Sequence, residues 1–269
     1  MRKTHFFLKL LVLAPLVLAA PLAHAQMKLD ESLAKTASVV VPKPSELFSA
    51  MTQLDSTVDW NKVMAFVNTG KDKGRFDYVS AEYRALNLGV RLANGAVAVQ
   101  SRDKKTLTEI SRTVKSLADS LGIRAELLAQ ADVVEQLARA EKWPELLSQL
   151  DKLQEDILTA LKERKETDSV TLVRVAGWLQ GLHLVTYGLK ENYHEKSSGL
   201  LRQPQLAEDI AKELSKLKAK DPLIDEIKAK VLEIKPLIDV AKGAPVPKES
   251  IDKLFTISDE TVSKIEKAK

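Results

Sequence analysis

Residues 169–193 read SVTLVRVAGWLQGLHLVTYGLKENY, and this stretch decides the fold. Apolar residues recur in it at intervals of three and four, the period of an α-helix, and strand-like alternation is missing. Three of the chain's ten glycines, Gly177, Gly181 and Gly188, fall inside the run. Each costs about 1 kcal/mol against alanine in a helix interior, so something must offset them. At about 100° per residue, Gly177, Gly181, Leu184 and Gly188 share one face, a shallow groove that lets a neighbouring helix backbone come close. Trp178, Leu182, Val185 and Leu189 form a second, bulky face that reads as core. A third stripe carries Gln180, His183 and Tyr187, with Lys190 and Glu191 beyond it.

Residues 75–101, RFDYVSAEYRALNLGVRLANGAVAVQS, read as a second long helix rich in small residues. On it Arg84, Asn87, Arg91 and Asn94 fall on one side at spacings of three and four. If the two helices turn these stripes toward each other, a polar seam runs through the interior, and its buried groups need partners. One reading of the seam is a satisfied network that fixes helix register. A second is a pocket in which Arg84 or Arg91 holds an anionic group while neighbouring side chains supply hydrogen bonds. The candidate ligand-binding set is then Arg84, Asn87, Arg91, Gln180, His183 and Tyr187. A third reading is an exposed interaction surface.

Outward from these two segments, the helical period recurs almost throughout. It predicts helices at about 45–54, 58–67, 75–101, 103–121, 124–142, 144–166, 169–193, 204–219, 222–241 and 248–267. The breaks have chemical causes. Asn68-Thr69-Gly70 and Gly74 end one helix and Gly122 another, while Pro144 and Pro222 restart the chain where a missing N–H costs nothing. Pro236 sits inside an otherwise helical run and predicts a kink or a break. Short connections favour antiparallel neighbours. The expected fold is therefore all-α, an antiparallel bundle of about eight to ten helices over residues 45–269. Residues 204–269, where Lys212, Glu213, Lys216, Asp225, Glu226, Lys228, Lys230 and Glu233 alternate in sign, form a candidate peripheral subdomain of surface helices.

The N-terminus has a different character. Arg2 and Lys3 precede an apolar run from Phe6 to Leu22, which ends in Ala23-His24-Ala25. That order of charge, apolar core and small-x-small is that of a secretory signal peptide over residues 1–25, cleaved after Ala25. Pro15 and Pro21 interrupt the run before it reaches spanning length. Gln26 and Met27 follow in place of a lipid-bearing cysteine, and residues 26–44 read as an extended leader with Pro42 and Pro44. The expectation is an exported, periplasmic, soluble protein with no membrane span in its mature form. Cleavage removes Arg2, Lys3 and Lys9 and no acid, so 41 cations become 38 against 37 acids, a net charge of +1. So balanced a chain has no general pull toward nucleic acid or anionic lipid. With no cysteine, an oxidising compartment adds no disulfide and the fold rests on its core.

Catalytic and metal constellations are missing. Of four histidines only His183 and His194 lie beyond the signal peptide. Neither has a second histidine or a carboxylate at ligand spacing toward the other, so the sequence predicts no metal site and no cofactor. His194-Glu195 opens like a zinc-protease helix, but Ser198 stands where the second histidine belongs. Gly181-Leu182-His183 opens like the Gly-x-His-x-x-Glu motif of imelysin-like helical proteins, but Thr186 holds the glutamate position, so no family is assigned. Asp103, Glu109, Asp151, Glu155, Asp156 and Glu163 are interspersed with cations, the pattern of a solvated face. The functional expectation is a non-enzymatic binding or structural role, with an unspecified protein or small-molecule partner. Anionic-ligand binding in the seam is one alternative, and an enzyme using His183 and Tyr187 as acid or base is another.

Overall fold

The computed structural model describes residues 41–69, 74–123 and 130–269. The signal peptide, most of the leader, Gly70 and the start of the helix expected from residue 124 lie outside the described residues. Within them the chain is all-α: α1 (Pro44–Leu54), α2 (Trp60–Asn68), α3 (Ala81–Gln100), α4 (Lys104–Ser120), α5 (Gln130–Arg139), α6 (Trp143–Glu163), α7 (Thr167–Glu191), α8 (Glu195–Ser198) with a 3-10 turn (Gly199–Leu201), α9 (Pro204–Ser215), α10 (Pro222–Ile238) and α11 (Lys248–Lys267). No helix among the described residues is long and apolar enough to cross a membrane.

Helices α3 and α7 are the axis of the bundle and pack along each other. Every residue from Ala85 to Val99 is buried, as is nearly every one from Ser169 to Leu189. The two backbones touch at Gly89. A Cβ there would overlap the Val173 carbonyl oxygen and lie 2.9 Å from the Gly177 nitrogen. The rest of the α7 glycine face receives α1: Gly181 faces Pro44 and Leu47, and Gly188 faces Met51. The predicted groove is thus filled by two helices, and its closest contact is set by a glycine on α3.

α3 and α4 run antiparallel, and so do α10 and α11. Arg84 near the start of α3 reaches the carbonyl of Ser120 at the end of α4, and Lys230 and Glu260 pair α10 with α11. The axial pair differs, because Gly89 meets Val173 and Gly177 while Asn94, further along α3, bonds to Gln180, further along α7. α3 and α7 therefore point the same way.

Local chemistry moves several predicted boundaries. α3 begins at Ala81 and not near 75, because the Ser80 hydroxyl accepts from Tyr83 N at 3.1 Å and caps the helix. Upstream, Arg84 Nε donates to the Tyr78 carbonyl at 2.8 Å and holds that segment in a loop. α9 ends at Ser215 and not 219, since Asp168 at the start of α7 accepts from Lys218 N and Ala219 N at 2.8 and 3.2 Å. Pro236 lies within α10, which stops two residues later at Ile238. The linker after α7 is partly helical: His194 caps α8, and Tyr193 Oη donates to the Val246 carbonyl at 2.9 Å. Asn192 sits at the C-terminus of α7. Two acids of the expected solvated face have internal work, Asp103 capping α4 and Asp151 accepting from Ser45 Oγ at 2.5 Å. Within 204–269, α9 and α10 pack on each other, whereas α11 packs along α7 and belongs to the central layer.

Candidate functional site

The two polar stripes do meet, but only in part. Gln180 Nε2 on α7 donates to Asn94 Oδ1 on α3 at 2.6 Å, and both residues are buried. Gln180 Oε1 then faces His183 Nδ1 at 3.3 Å. The His183 ring is 5% exposed, and its Nε2 lies 3.2 Å from Asp259 Oδ1 of α11. That is ion-pair distance without the alignment of a hydrogen bond.

The remaining candidates serve other contacts. Arg84 stands away from the seam, with its guanidinium on the carbonyls of Tyr78, Val79 and Ser120, where it joins a loop to the end of α4. Asn87 is fully buried and donates to the carbonyls of Tyr83 and Ile265 at 3.0 and 2.8 Å. Arg91, also fully buried, pairs with Glu266 Oε1 at 2.6 Å. Asn87 and Arg91 together therefore fasten the last turn of α11 to α3. Tyr187 stacks on Phe66 of α2 with centroids 4.1 Å apart and planes 11° apart, inside an aromatic cluster completed by His183 and Phe255. Of the six predicted residues, Gln180 and His183 share one site, Arg91 supports it from below through Glu266, and Tyr187 flanks it.

The site is a cleft of about 380 Å³ among α2, α3, α7 and α11. Phe66, Asn94, Gln180, His183, Asp259 and Ser263 line it, with Glu266 and Lys267 at one end. The cleft mixes an apolar wall with convergent polar groups, the usual composition of a small-molecule site. The His183 imidazole holds the Asp259 carboxyl below its ordinary range against the opposing effect of burial, with Lys267 and Lys190 adding to the pull. Lys190 also lies 4.6 Å over the Phe255 ring. Beneath Glu266, burial pushes the Tyr78 phenol up, while the neighbouring Arg91 pulls it down. A smaller cleft of about 170 Å³ adjoins Tyr187, and there Lys62 and Glu191 form an ion pair that raises the lysine. No group of three or more metal-ligating side chains occurs among the described residues.

Asp259, Glu266 and Phe66 were not legible as site residues. In the sequence Asp259 and Glu266 are two more acids on an amphipathic helix of alternating charge, and nothing local marks them. Comparison with known protein families, curated proteins and solved structures finds no match.

Proposed function

We propose that this chain is an exported, periplasmic protein with a non-enzymatic binding role, and that it takes a small molecule in the cleft among α2, α3, α7 and α11. The observation that carries the reading is His183. It is an almost fully buried imidazole on the cleft wall, fixed on one side by Gln180 and Asn94 and paired on the other with the half-exposed Asp259, whose carboxylate oxygen lies 3.2 Å from Nε2. Export is supported by the Arg2-Lys3 charge, the apolar run and the Ala23-His24-Ala25 site.

Of the cations near the cleft, Lys267 is part of its wall, whereas the two predicted guanidiniums do not support an anion there. Arg84 is remote from the cleft and Arg91 is already neutralised by Glu266, so no free guanidinium faces the space. The test is equilibrium dialysis of the mature protein against a cellular metabolite extract, read by mass spectrometry, with Ser263→Trp as a cleft-filled control. The expected result is a compound retained by the wild type and lost in the control. Retention of nothing, or turnover of a retained compound that His183→Ala abolishes, refutes the non-enzymatic binding role. Fractionation and the intact mass of the exported form check cleavage after Ala25.

A further inference from the structure

Along α11 the cleft wall separates its charges by sign. Asp259, Ser263 and Lys267 stand four residues apart on that helix, so they share one face. At one end the half-exposed Asp259 meets His183 through Oδ1, and no lysine or arginine among the described residues comes within ion-pair distance of it. Lys190 lies over the Phe255 ring instead. At the other end Lys267 Nζ folds back onto Ser263 Oγ at 2.7 Å. It has no carboxylate at ion-pair distance among the described residues, because its neighbour Glu266 is taken by Arg91.

Two neutral donors join the lysine. Ser263 accepts from Lys267 and keeps its hydroxyl proton to donate. Asn94, only 2% exposed, gives its oxygen to Gln180, and its amide nitrogen has no acceptor among the described residues. That nitrogen is not enclosed by protein, so it opens on the cleft that Asn94 lines. Its height follows from the helix directions. His183 meets Asp259 while Tyr187 meets Phe255, so α11 runs opposite to α7, and Gln180 with its partner Asn94 lies level with Val262 and Ser263. Three donors without an anion thus gather at one level, and a carboxyl with a free oxygen stands one turn away.

With Arg91 and Glu266 closed on each other, Lys267 and Asp259 are the wall's open charges, one of each sign. A singly charged ligand complements one and repels the other, whereas a zwitterion complements both. The spacing suits a short one. Four residues of helix separate Asp259 from Ser263 by about 6 Å. An ammonium and a carboxylate on one carbon, about 2.5 Å apart, with a contact of about 2.8 Å at each end, span up to about 8 Å. We propose that the cleft takes a free amino acid with an apolar side chain: its carboxylate on Lys267, Ser263 and Asn94, its ammonium on the second oxygen of Asp259, and its side chain against Phe66, Val67 and Val262. The proposal rests on the binding reading above and names its ligand class.

Ligand-observed NMR of the mature protein at pH 7.5 tests it, with valine, leucine and phenylalanine as probes. N-acetylleucine lacks the ammonium and leucinamide lacks the carboxylate. At least one free amino acid is expected to bind, each capped form by about tenfold or more less tightly, the worth of a charged hydrogen bond. Ser263→Trp should bind none of them. Asp259→Asn and Lys267→Met, at half-exposed and exposed positions, are expected to fold normally by circular dichroism and to weaken the free amino acid by a similar factor. The pairing of variant and probe separates a contact from a structural effect: Lys267→Met should leave leucinamide binding unchanged, and Asp259→Asn that of N-acetylleucine. Capped forms that bind as well as the free amino acid overturn the proposal, as do free amino acids whose affinity neither variant changes, or that bind Ser263→Trp, or that do not bind at all. If metabolite dialysis still retains a compound that Ser263→Trp loses, the binding role survives that failure.

Discussion

Replacing Gly89 by alanine tests the packing on which the whole bundle depends. The added Cβ would overlap the Val173 carbonyl oxygen and lie 2.9 and 3.0 Å from Gly177 N and Val173 C, all backbone atoms of α7. No side-chain rotation relieves such a contact, so α3 and α7 must separate. A gap of 0.5–1 Å already forfeits about a quarter to a half of each dispersion contact. Overpacking in a tight core costs typically about 1–3 kcal/mol, and a rigid backbone obstacle belongs at the upper end. Alanine returns about 1 kcal/mol of helix propensity. The net expectation is a loss of about 2 kcal/mol, or about 4–8 °C in Tm at this chain length. Gly95, on the same helix, supplies the control. A Cβ there would make ordinary contacts of 3.7 and 3.9 Å with Ile110 and Leu150, beside a void of about 20 Å³. Gly95→Ala should therefore stabilise, by about 0.5–1 kcal/mol. Urea unfolding followed by circular dichroism reads both variants. If Gly89→Ala is as stable as the wild type, or the two variants shift in the same direction, the close backbone approach is not what the glycine is for.

Three further perturbations follow from the charges. Glu266→Ala leaves Arg91, with none of its side chain exposed, without its carboxylate; it should cost about 3 kcal/mol in urea unfolding, and Arg91→Met should cost less, since Glu266 retains some contact with water. The Asp259 carboxyl is depressed below its ordinary 3.8, so the stability that it contributes is present above that value and is lost as pH falls through its lower folded value; Asp259→Asn should flatten the acid side of the Tm–pH curve, and an unchanged slope contradicts the pairing with His183. Burial raises Asp151 instead, so ionising it opposes folding as pH rises past its ordinary 3.8; Asp151→Asn, whose carbonyl still accepts from Ser45, should leave Tm at pH 7 unchanged or higher.

The all-α architecture was legible because periodicity in α3 and α7 is a local property, and so were most breaks. Gly122 illustrates this: it sits at φ 73° where α4 ends, a left-handed conformation that the residue type alone announces. What escaped the sequence was decided by partners remote along the chain. The stretch 75–80 keeps helical spacing, but Arg84 and the Ser80 cap hold it open. Residues 216–219 look helical until Asp168, some fifty positions earlier, takes two of their backbone donors. Arg84, Asn87, Arg91 and Asn94 lie at helical spacing along α3. These four residues nonetheless reach three different environments, because one face of a 20-residue helix passes several neighbours along its length.

The two principal readings of the seam, a register-fixing network and a binding pocket, describe consecutive parts of one device. Asn87 and Arg91 spend their hydrogen bonds on Ile265 and Glu266 and so fix the height and rotation of α11 against α3. Asp259 lies two turns earlier on that same helix. A slip of one residue along α11 would move its carboxyl by about 1.5 Å and turn it by about 100°. Either displacement exceeds what a 3.2 Å contact with His183 tolerates. The buried pair at the end of α11 therefore sets the geometry at its middle. A register defect introduced at Glu266 should reach the cleft as a lost His183–Asp259 contact before it appears as a loss of helix.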